Sequence, residues 1–494
     1  MRASGILLHI SSLPSDYGIG TIGQAAFDFV DFLHTAGQRF WQVLPLGPTS
    51  YGDSPYQSFS TFAGNPYFID LDLLTQDGLL EKQEYEGIDW GDDPACTDYE
   101  KLYKNRFSVL RRAFERGFAR DEKAVAEFRR RQGGWLEDYA LFMALKDRFG
   151  GRAWSEWDDG LRLREPGALE RARLECAEDL DFWVYVQYLF FTQWFALKTY
   201  ANKNGVELIG DLPIYVAADS ADVWAHPELF WLDEDRKPVF IAGVPPDYFS
   251  PDGQLWGNPL YDWKVHEETG YHWWIERIRM VTSVCDMVRI DHFRGFAGFY
   301  AVPFGDADAK GGHWEKGPGR AVFAAAEKEL GKSRIIAEDL GILTDDVYEL
   351  LRQTGFPGMK ILQFAFDSNW DNVYLPHNHV RHSVIYTGTH DNDTLMHWWE
   401  TALAPQDRQH AADYMRLNES EGVNWGILHT VWASVAELAV APIQDFLALG
   451  GEARMNTPST LGGNWQFRLQ KGMLTRQLAE KIERMSGLYQ RSTL

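Results

Sequence analysis

Cysteine is nearly missing from this chain: Cys96, Cys176 and Cys285 are the only three in 494 residues. They are far apart, form no CxxC pair and have no histidine at metal-ligand spacing, so neither a disulfide framework nor a zinc-finger-like site is built from them. Long apolar runs are missing too. The run Gly5 to Ile10 stops at polar residues and Pro14, too short for the apolar core of a secretory signal. No stretch approaches the roughly 18 apolar residues a membrane span needs. Positive charge is in deficit: 48 Lys and Arg stand against 71 Asp and Glu, a formal net charge of −23. That argues against nucleic acid and anionic membrane as partners, because both demand cationic patches. Internal repeats and low-complexity linkers are also lacking. The expectation is a reduced, cytoplasmic protein with no membrane attachment.

What the chain has in excess is aromatic surface, with 20 Trp, 21 Tyr and 30 Phe making up 14% of it. Twenty tryptophans exceed what a core requires, and flat rings with polar handles suit a groove that binds a sugar polymer. The chain also keeps a beat. Gly5–Ile10 is a near-continuous apolar run, as in a strand buried on both faces. A helix with Ala26, Phe29, Val30 and Leu33 on one stripe follows, with Thr21 as its cap and Gly37 at its end. Phe40–Leu44 is a second strand, and strand–helix–strand in so short a span implies a parallel sheet. Further strands are expected at Val206–Asp211, Met287–Asp291, Arg334–Asp339, Met359–Phe366, Ser383–Thr387 and Val440–Phe446. These eight β segments with intervening helices predict a (β/α)8 TIM barrel of the α/β class over residues 1–494. Long, mostly helical insertions surround the mouth, at approximately 51–190 (mostly helical), 219–274 and 301–332.

The chemistry sits at the strand ends. In a parallel barrel, catalytic groups gather at the C-terminal ends of different strands, and here those ends carry Asp211, Asp291, Glu338 and Asp391. Several carboxylates at one mouth repel one another unless function needs them. Glycoside chemistry does: a retaining mechanism uses one carboxylate as nucleophile and one carboxylic acid as proton donor, about 5 to 5.5 Å apart. Arg289 and Asp291 fall on one face of their strand. Arg289 is therefore expected to depress the Asp291 pKa and suit it as nucleophile. Glu338 follows Ile335-Ile336-Ala337 with no cation beside it, which suits a general acid. Asp391, beside His390, is left to bind sugar hydroxyls and the distorted ring.

Three segments carry a resemblance: Arg289-Ile290-Asp291-His292-Phe293-Arg294-Gly295, Ala337-Glu338-Asp339-Leu340-Gly341 and Gly388-Thr389-His390-Asp391-Asn392-Asp393-Thr394. They resemble the signature segments of the amylomaltases, bacterial 4-α-glucanotransferases (disproportionating enzymes) of glycoside hydrolase family 77, related to the α-amylases. Tyr51-Gly52-Asp53-Ser54-Pro55-Tyr56-Gln57-Ser58, Gly210-Asp211-Leu212-Pro213 and Gly253-Gln254-Leu255-Trp256-Gly257-Asn258-Pro259 match in the same order. The resemblance implies Asp291 as nucleophile, Glu338 as acid/base and Asp391 as transition-state stabiliser. It places Arg289, His292 and His390 on the sugar at the cleavage point and Tyr56 in a stack at the donor site. Asp247 and Trp256 would lie on a loop folding over the glucan, Asp211, Ser54 and Asn464 would also bind substrate, and Tyr51 would mark a second glucan site. Implied substrates are α-1,4-glucans and maltooligosaccharides, with glucose as an acceptor and no metal or organic cofactor. Residues 75–200 and 301–332 match no family motif.

Rival signals are weaker. Gly18-Ile19-Gly20-Thr21-Ile22-Gly23 fits GxGxxG, but it is separated from the first strand, and no acidic residue ends the second strand to hold a ribose. His377, His379 and His382 read as a solvated loop rather than a metal site. Asp391-Asn392-Asp393 lacks the Gly and Glu of a calcium loop. The cluster of Trp183, Phe190, Phe191 and Trp194 reads as helix packing. An α-1,4-glucan hydrolase with the same carboxylates is the alternative reading, and a non-catalytic glucan-binding protein a more remote one. A lid over Gly243–Pro259 that excludes water would favour transfer over hydrolysis.

Overall fold

The computed structural model describes residues 2–50, 52–246, 250–341, 343–367, 369–418 and 420–494. The strands are β1 (Ala3–Leu7), β2 (Phe40–Gln42), β3 (Glu207–Leu212), β4 (Phe240–Val244), β5 (Gln254–Pro259), β6 (Met287–Ile290), β7 (Gly298–Pro303), β8 (His313–Lys316), β9 (Ile335–Ala337), β10 (Gly358–Ile361), β11 (Ser383–Tyr386) and β12 (Leu438–Pro442). Eight of them close a barrel in the order β1-β12-β11-β10-β9-β6-β3-β2. Every neighbouring pair in it is parallel. This is the expected (β/α)8 barrel, and each expected strand segment contributes one stave. The seam where β1 meets β12 is sealed from inside the chain's last turn. Arg491, fully buried, donates to the carbonyls of Ala3, Trp432, Ser434 and Ala436 at 2.8–2.9 Å.

The first helix runs Gln24–Thr35 with Gly23 at its N-cap, so Thr21 does not cap it. Its hydroxyl donates instead to Asp70 at 2.6 Å, tying the approach to that helix to the turn that opens Leu71–Gln76. Between β2 and β3 the chain builds helices including Tyr99–Gly117, Glu122–Arg131, Leu136–Arg148 and the long Ala177–Lys203. The last of these grips the loop beyond β2 with two buried glutamines. Gln187 holds both backbone groups of Gly64, accepting at 2.7 Å and donating at 2.9 Å, and Gln193 does the same for Asp70. Only glycine fits at position 64, because a Cβ there would lie 2.0 Å from the Phe190 ring.

The segments expected as insertions 219–274 and 301–332 contribute a feature not visible in the sequence pattern. β4, β5, β7 and β8 form an antiparallel sheet in the order β5-β4-β7-β8, with its own small core of Ile241, Tyr300, Val302 and Ala309. The tryptophans are mostly core rather than groove: Trp41, Trp183, Trp194, Trp224, Trp274 and Trp432 are among the largest fully buried side chains. The barrel and its helices require more large rings than the composition argument allowed. Among the described residues no helix is long and apolar enough to cross a membrane.

Candidate active site

Register decides which side chains meet. β3 and β6 pair with Asp211 opposite Arg289 and Leu212 opposite Ile290, and β6 and β9 pair with Ile290 opposite Ala337. The ladder runs one residue past the strands: the Asp291 N–H donates to the Leu212 carbonyl, and the Glu338 N–H to that of Ile290, each at 3.0 Å. Asp291 and Glu338 therefore stand level on adjacent staves at the C-terminal mouth, where the barrel geometry collects catalytic groups.

Arg289 is the hub. Its guanidinium donates to Asp211 Oδ2 through Nη2 (2.7 Å) and Nε (3.0 Å), and to Asp291 Oδ1 at 2.9 Å. The Arg289 and Asp211 side chains are 3% and 0% exposed, whereas Asp291 keeps 28%. The expected ion pair is thus present, but the expected consequence is not. Burial pushes the Asp291 carboxyl up to about 6, and the Arg289 charge opposes that rise without cancelling it. The Asp211 charge, invisible as a partner in local sequence, adds to the rise and takes two of the three guanidinium bonds.

Glu338 accepts the backbone N–H groups of His292 (2.7 Å) and Leu340 (2.8 Å). Burial, reinforced by the Asp291 charge, pushes its carboxyl up to about 8. This is the expected direction for a proton donor. His292 makes the first of those bonds from a left-handed backbone, φ 49°. That conformation is rare for a residue with a side chain, and it aims the N–H at the carboxylate. The His292 ring stands edge-on to Trp256 at 4.7 Å, and burial drives its pKa down to about 3, so the ring is neutral.

Asp391 faces the same mouth. Burial alone would raise its pKa, but His390, with Nε2 3.3 Å from Oδ2, and the Asn456 amide, 2.6 Å from Oδ1, hold it below the ordinary carboxylate range. Tyr56 covers His390 face to face at 4.9 Å, donates to Asp211 at 2.6 Å, and leans with His390 on Trp465. Ser54 serves the turn that presents Tyr56, accepting the Tyr56 N–H at 3.2 Å. Trp256 lies in β5, where its carbonyl accepts from Gln57 at 3.3 Å.

The sequence-predicted residues Asp211, Asp291, Glu338, Asp391, Arg289, His292, His390, Tyr56 and Trp256 thus form one linked cluster. Asn464 bonds within its own loop, to the Thr457 N–H at 2.9 Å and to Thr460. Tyr51 and Asp247 lie outside the described residues. Asn456 and Arg454, unmarked in the sequence reading, touch Asp391. No periodicity or charge pattern in Arg454-Met455-Asn456 announces them. His379 is not solvated but buried, bonded to Ser434 and the Tyr374 carbonyl. Among the described residues no group of His, Cys, Asp and Glu is arranged to hold a metal ion.

A family model described as 4-alpha-glucanotransferase matches residues 8–475. A 4-alpha-glucanotransferase of Streptococcus pneumoniae is 51% identical over 492 residues, covering 99% of this chain and 97% of that one. One of Clostridium butyricum is 48% identical over 485 residues, covering 98% and 100%. The solved amylomaltase from Streptococcus agalactiae in complex with acarbose superposes at a TM-score of 0.98, with 44% identity and full coverage of both chains.

Proposed function

This chain belongs to the 4-α-glucanotransferase family, glycoside hydrolase family 77, and from that premise we propose how its own residues carry out glucan transfer. The enzyme acts in maltodextrin metabolism, moving α-1,4-glucan segments between chains. The donor is a maltooligosaccharide and the acceptor the 4-hydroxyl of another glucan or of glucose. Asp291 attacks the anomeric carbon while Glu338 gives its proton to the departing glycosidic oxygen, leaving a glycosyl ester on Asp291. The acceptor hydroxyl then attacks the same carbon, returns a proton to Glu338, and frees the Asp291 carboxylate. Two displacements at one carbon retain its configuration. Asp391, kept anionic, stabilises the positive charge that develops on the ring.

The observation that carries this reading is the unequal treatment of two adjacent carboxyls. Asp291 accepts from the Arg289 guanidinium at 2.9 Å, whereas Glu338 accepts the backbone N–H groups of His292 and Leu340; burial raises both carboxyls, and Glu338 the more. One is therefore loaded with a proton at the pH where the other can attack. His292, Trp256 and Tyr56 are assigned to the sugar by their place around these groups, and Asp211, Arg289 and His390, whose side chains are buried, by resemblance. Ser54 acts through the turn under Tyr56, and Asn464, Asp247 and Tyr51 by resemblance alone. The whole chain, 1–494, is read as one catalytic unit with its insertions at approximately 51–190, 219–274 and 301–332. One continuous apolar core running through barrel and helices supports this. The proposed setting is cytoplasmic.

Maltotriose is the deciding substrate. Transfer yields glucose and longer maltooligosaccharides at a constant number of reducing ends. A rising number of reducing ends would make the enzyme a hydrolase, and unchanged maltotriose a binding protein.

A further inference from the structure

Asp391 has no strand to hold it. It lies in the loop beyond β11, its side chain is 46% exposed, and its own loop supplies two long ties, the Asp391 N–H to the Thr389 hydroxyl and His390 Nε2 to Oδ2, each at 3.3 Å. The firm bonds come from across the mouth, from the segment after β12, and one guanidinium organises them. Arg454 Nη2 donates to the Asp391 carbonyl at 3.0 Å, Nε to the Asn456 carbonyl at 2.9 Å, and Nη1 to Asp393 Oδ2 at 3.3 Å. Asn456, so fixed, donates its amide to Asp391 Oδ1 at 2.6 Å, and its N–H to the His390 carbonyl at 3.2 Å. Asp393 is held in turn by His397 Nδ1 at 2.6 Å and accepts the Thr394 N–H at 2.8 Å. The intervening Met455 carbonyl takes the N–H of Trp465, the ring against which Tyr56 and His390 lean.

We propose that Arg454 is a positioning residue for glucan transfer: its planar fork joins the loops after β11 and β12 so that the Asp391 carboxylate is fixed where charge develops. The inference rests on the assignment of Asp391 as transition-state stabiliser. Arg454 is bonded to neither Asp291 nor Glu338 and reaches the reacting carbon chiefly through Asp391. The geometry needs a guanidinium, because three acceptors lie around one plane. A lysine ammonium offers a single point of charge and cannot reach the two carbonyls and the carboxylate with the same orientation. Placement matters more than affinity here, since a catalytic group displaced by about 1 Å costs on the order of 100-fold in rate.

The test compares Arg454→Met, Arg454→Lys and Asp391→Asn, singly and combined, using maltotriose and an α-maltosyl fluoride donor whose good leaving group keeps crippled variants measurable. Arg454→Met is expected to lower kcat by roughly 30- to 100-fold, with KM within about threefold of wild type. Arg454→Lys is expected to recover only part of that. In the Asp391→Asn background the same Arg454 changes should cost less than about threefold, because the group they position is already gone. An equal, multiplicative loss in both backgrounds overturns the positioning role, as does unaltered kcat in Arg454→Met. Should Arg454→Met fail to fold, Arg454→Lys carries the same comparison. Wild-type transfer by Asp391→Asn alone instead overturns the role of Asp391, and this inference falls with it.

Discussion

Tyr56 lies flat on His390, ring centroids 4.9 Å apart and planes 17° from parallel, although the two stand 334 positions apart in the chain. The stack joins the loop after β2 to the loop after β11, and its hydroxyl reaches on to Asp211 at 2.6 Å. Tyr56→Phe keeps the ring but takes one donor from a buried carboxylate, a bond worth about 1.5–3 kcal/mol. It is expected to lower kcat/KM on maltotriose by roughly 10- to 100-fold. Tyr56→Ala should fall further, since the stack is lost as well. Equal kcat/KM for wild type and the Phe variant would show the hydroxyl to be idle.

Asp291→Asn keeps an oxygen that can accept from Arg289 but cannot form a stable glycosyl ester. Transfer is expected to drop by at least about 10⁴-fold, with circular dichroism and the unfolding midpoint close to wild type. The complementary variant, Glu338→Gln, should accumulate that ester when given α-maltosyl fluoride, because its return step lacks a base. Mass spectrometry of the digested protein would locate the added glycosyl mass, and a label anywhere but Asp291 would move the nucleophile.

The pH profile follows from the two raised carboxyls. Asp291 must be ionised and Glu338 protonated, so activity is lost below about 6 as Asp291 gains a proton, and above about 8 as Glu338 loses one. kcat/KM should trace a bell centred near neutrality, and its limbs belong to the interacting pair rather than to either residue alone. In Glu338→Gln the alkaline limb should vanish while the acid limb stays. Retention of both limbs would assign the alkaline one to another group.

The same shift acts on stability. A Glu338 carboxyl raised from 4.5 to about 8 keeps its proton in the folded state over a range where the unfolded chain has released it. Its contribution is favourable at low pH and is lost as pH rises from the unfolded value through the folded one. Glu338→Gln removes that loss, though its amide can accept only one of the two backbone N–H groups the carboxylate holds. The unfolding midpoint of the variant, measured against wild type, should therefore improve by about 1–3 °C between pH 4.5 and pH 8. A pH-independent difference would contradict the raised pKa.

Much of this was legible in the sequence. All eight barrel staves have apolar segments of the right length, and two of the proposed catalytic carboxyls, Asp291 and Glu338, follow directly on the apolar runs of their strands, while Asp391 comes five residues after β11. The antiparallel sheet was not, because its members lack the apolar runs of the barrel staves: β8 is His-Trp-Glu-Lys with no buried residue, and β5 carries a glycine and a proline. The sign of the Asp291 shift was missed for a related reason. Arg289 is adjacent in sequence, but burial and the competing claim of Asp211 exist only once β3 lies beside β6. Asn456 and Arg454 were missed because their partners sit across a loop rather than along a strand.

Arg491 gives the order of manufacture a consequence. The mouth carboxyls at the ends of β3, β6 and β9 and in the loop after β11 all leave the ribosome long before position 491, yet the guanidinium that binds the first strand to the carbonyls flanking the last stave arrives only then. A nascent chain therefore carries the mouth carboxyls before those carbonyls have their guanidinium. The β1–β12 ladder can close the cylinder once Pro442 is free, and the four carbonyls that Arg491 gathers are fastened last.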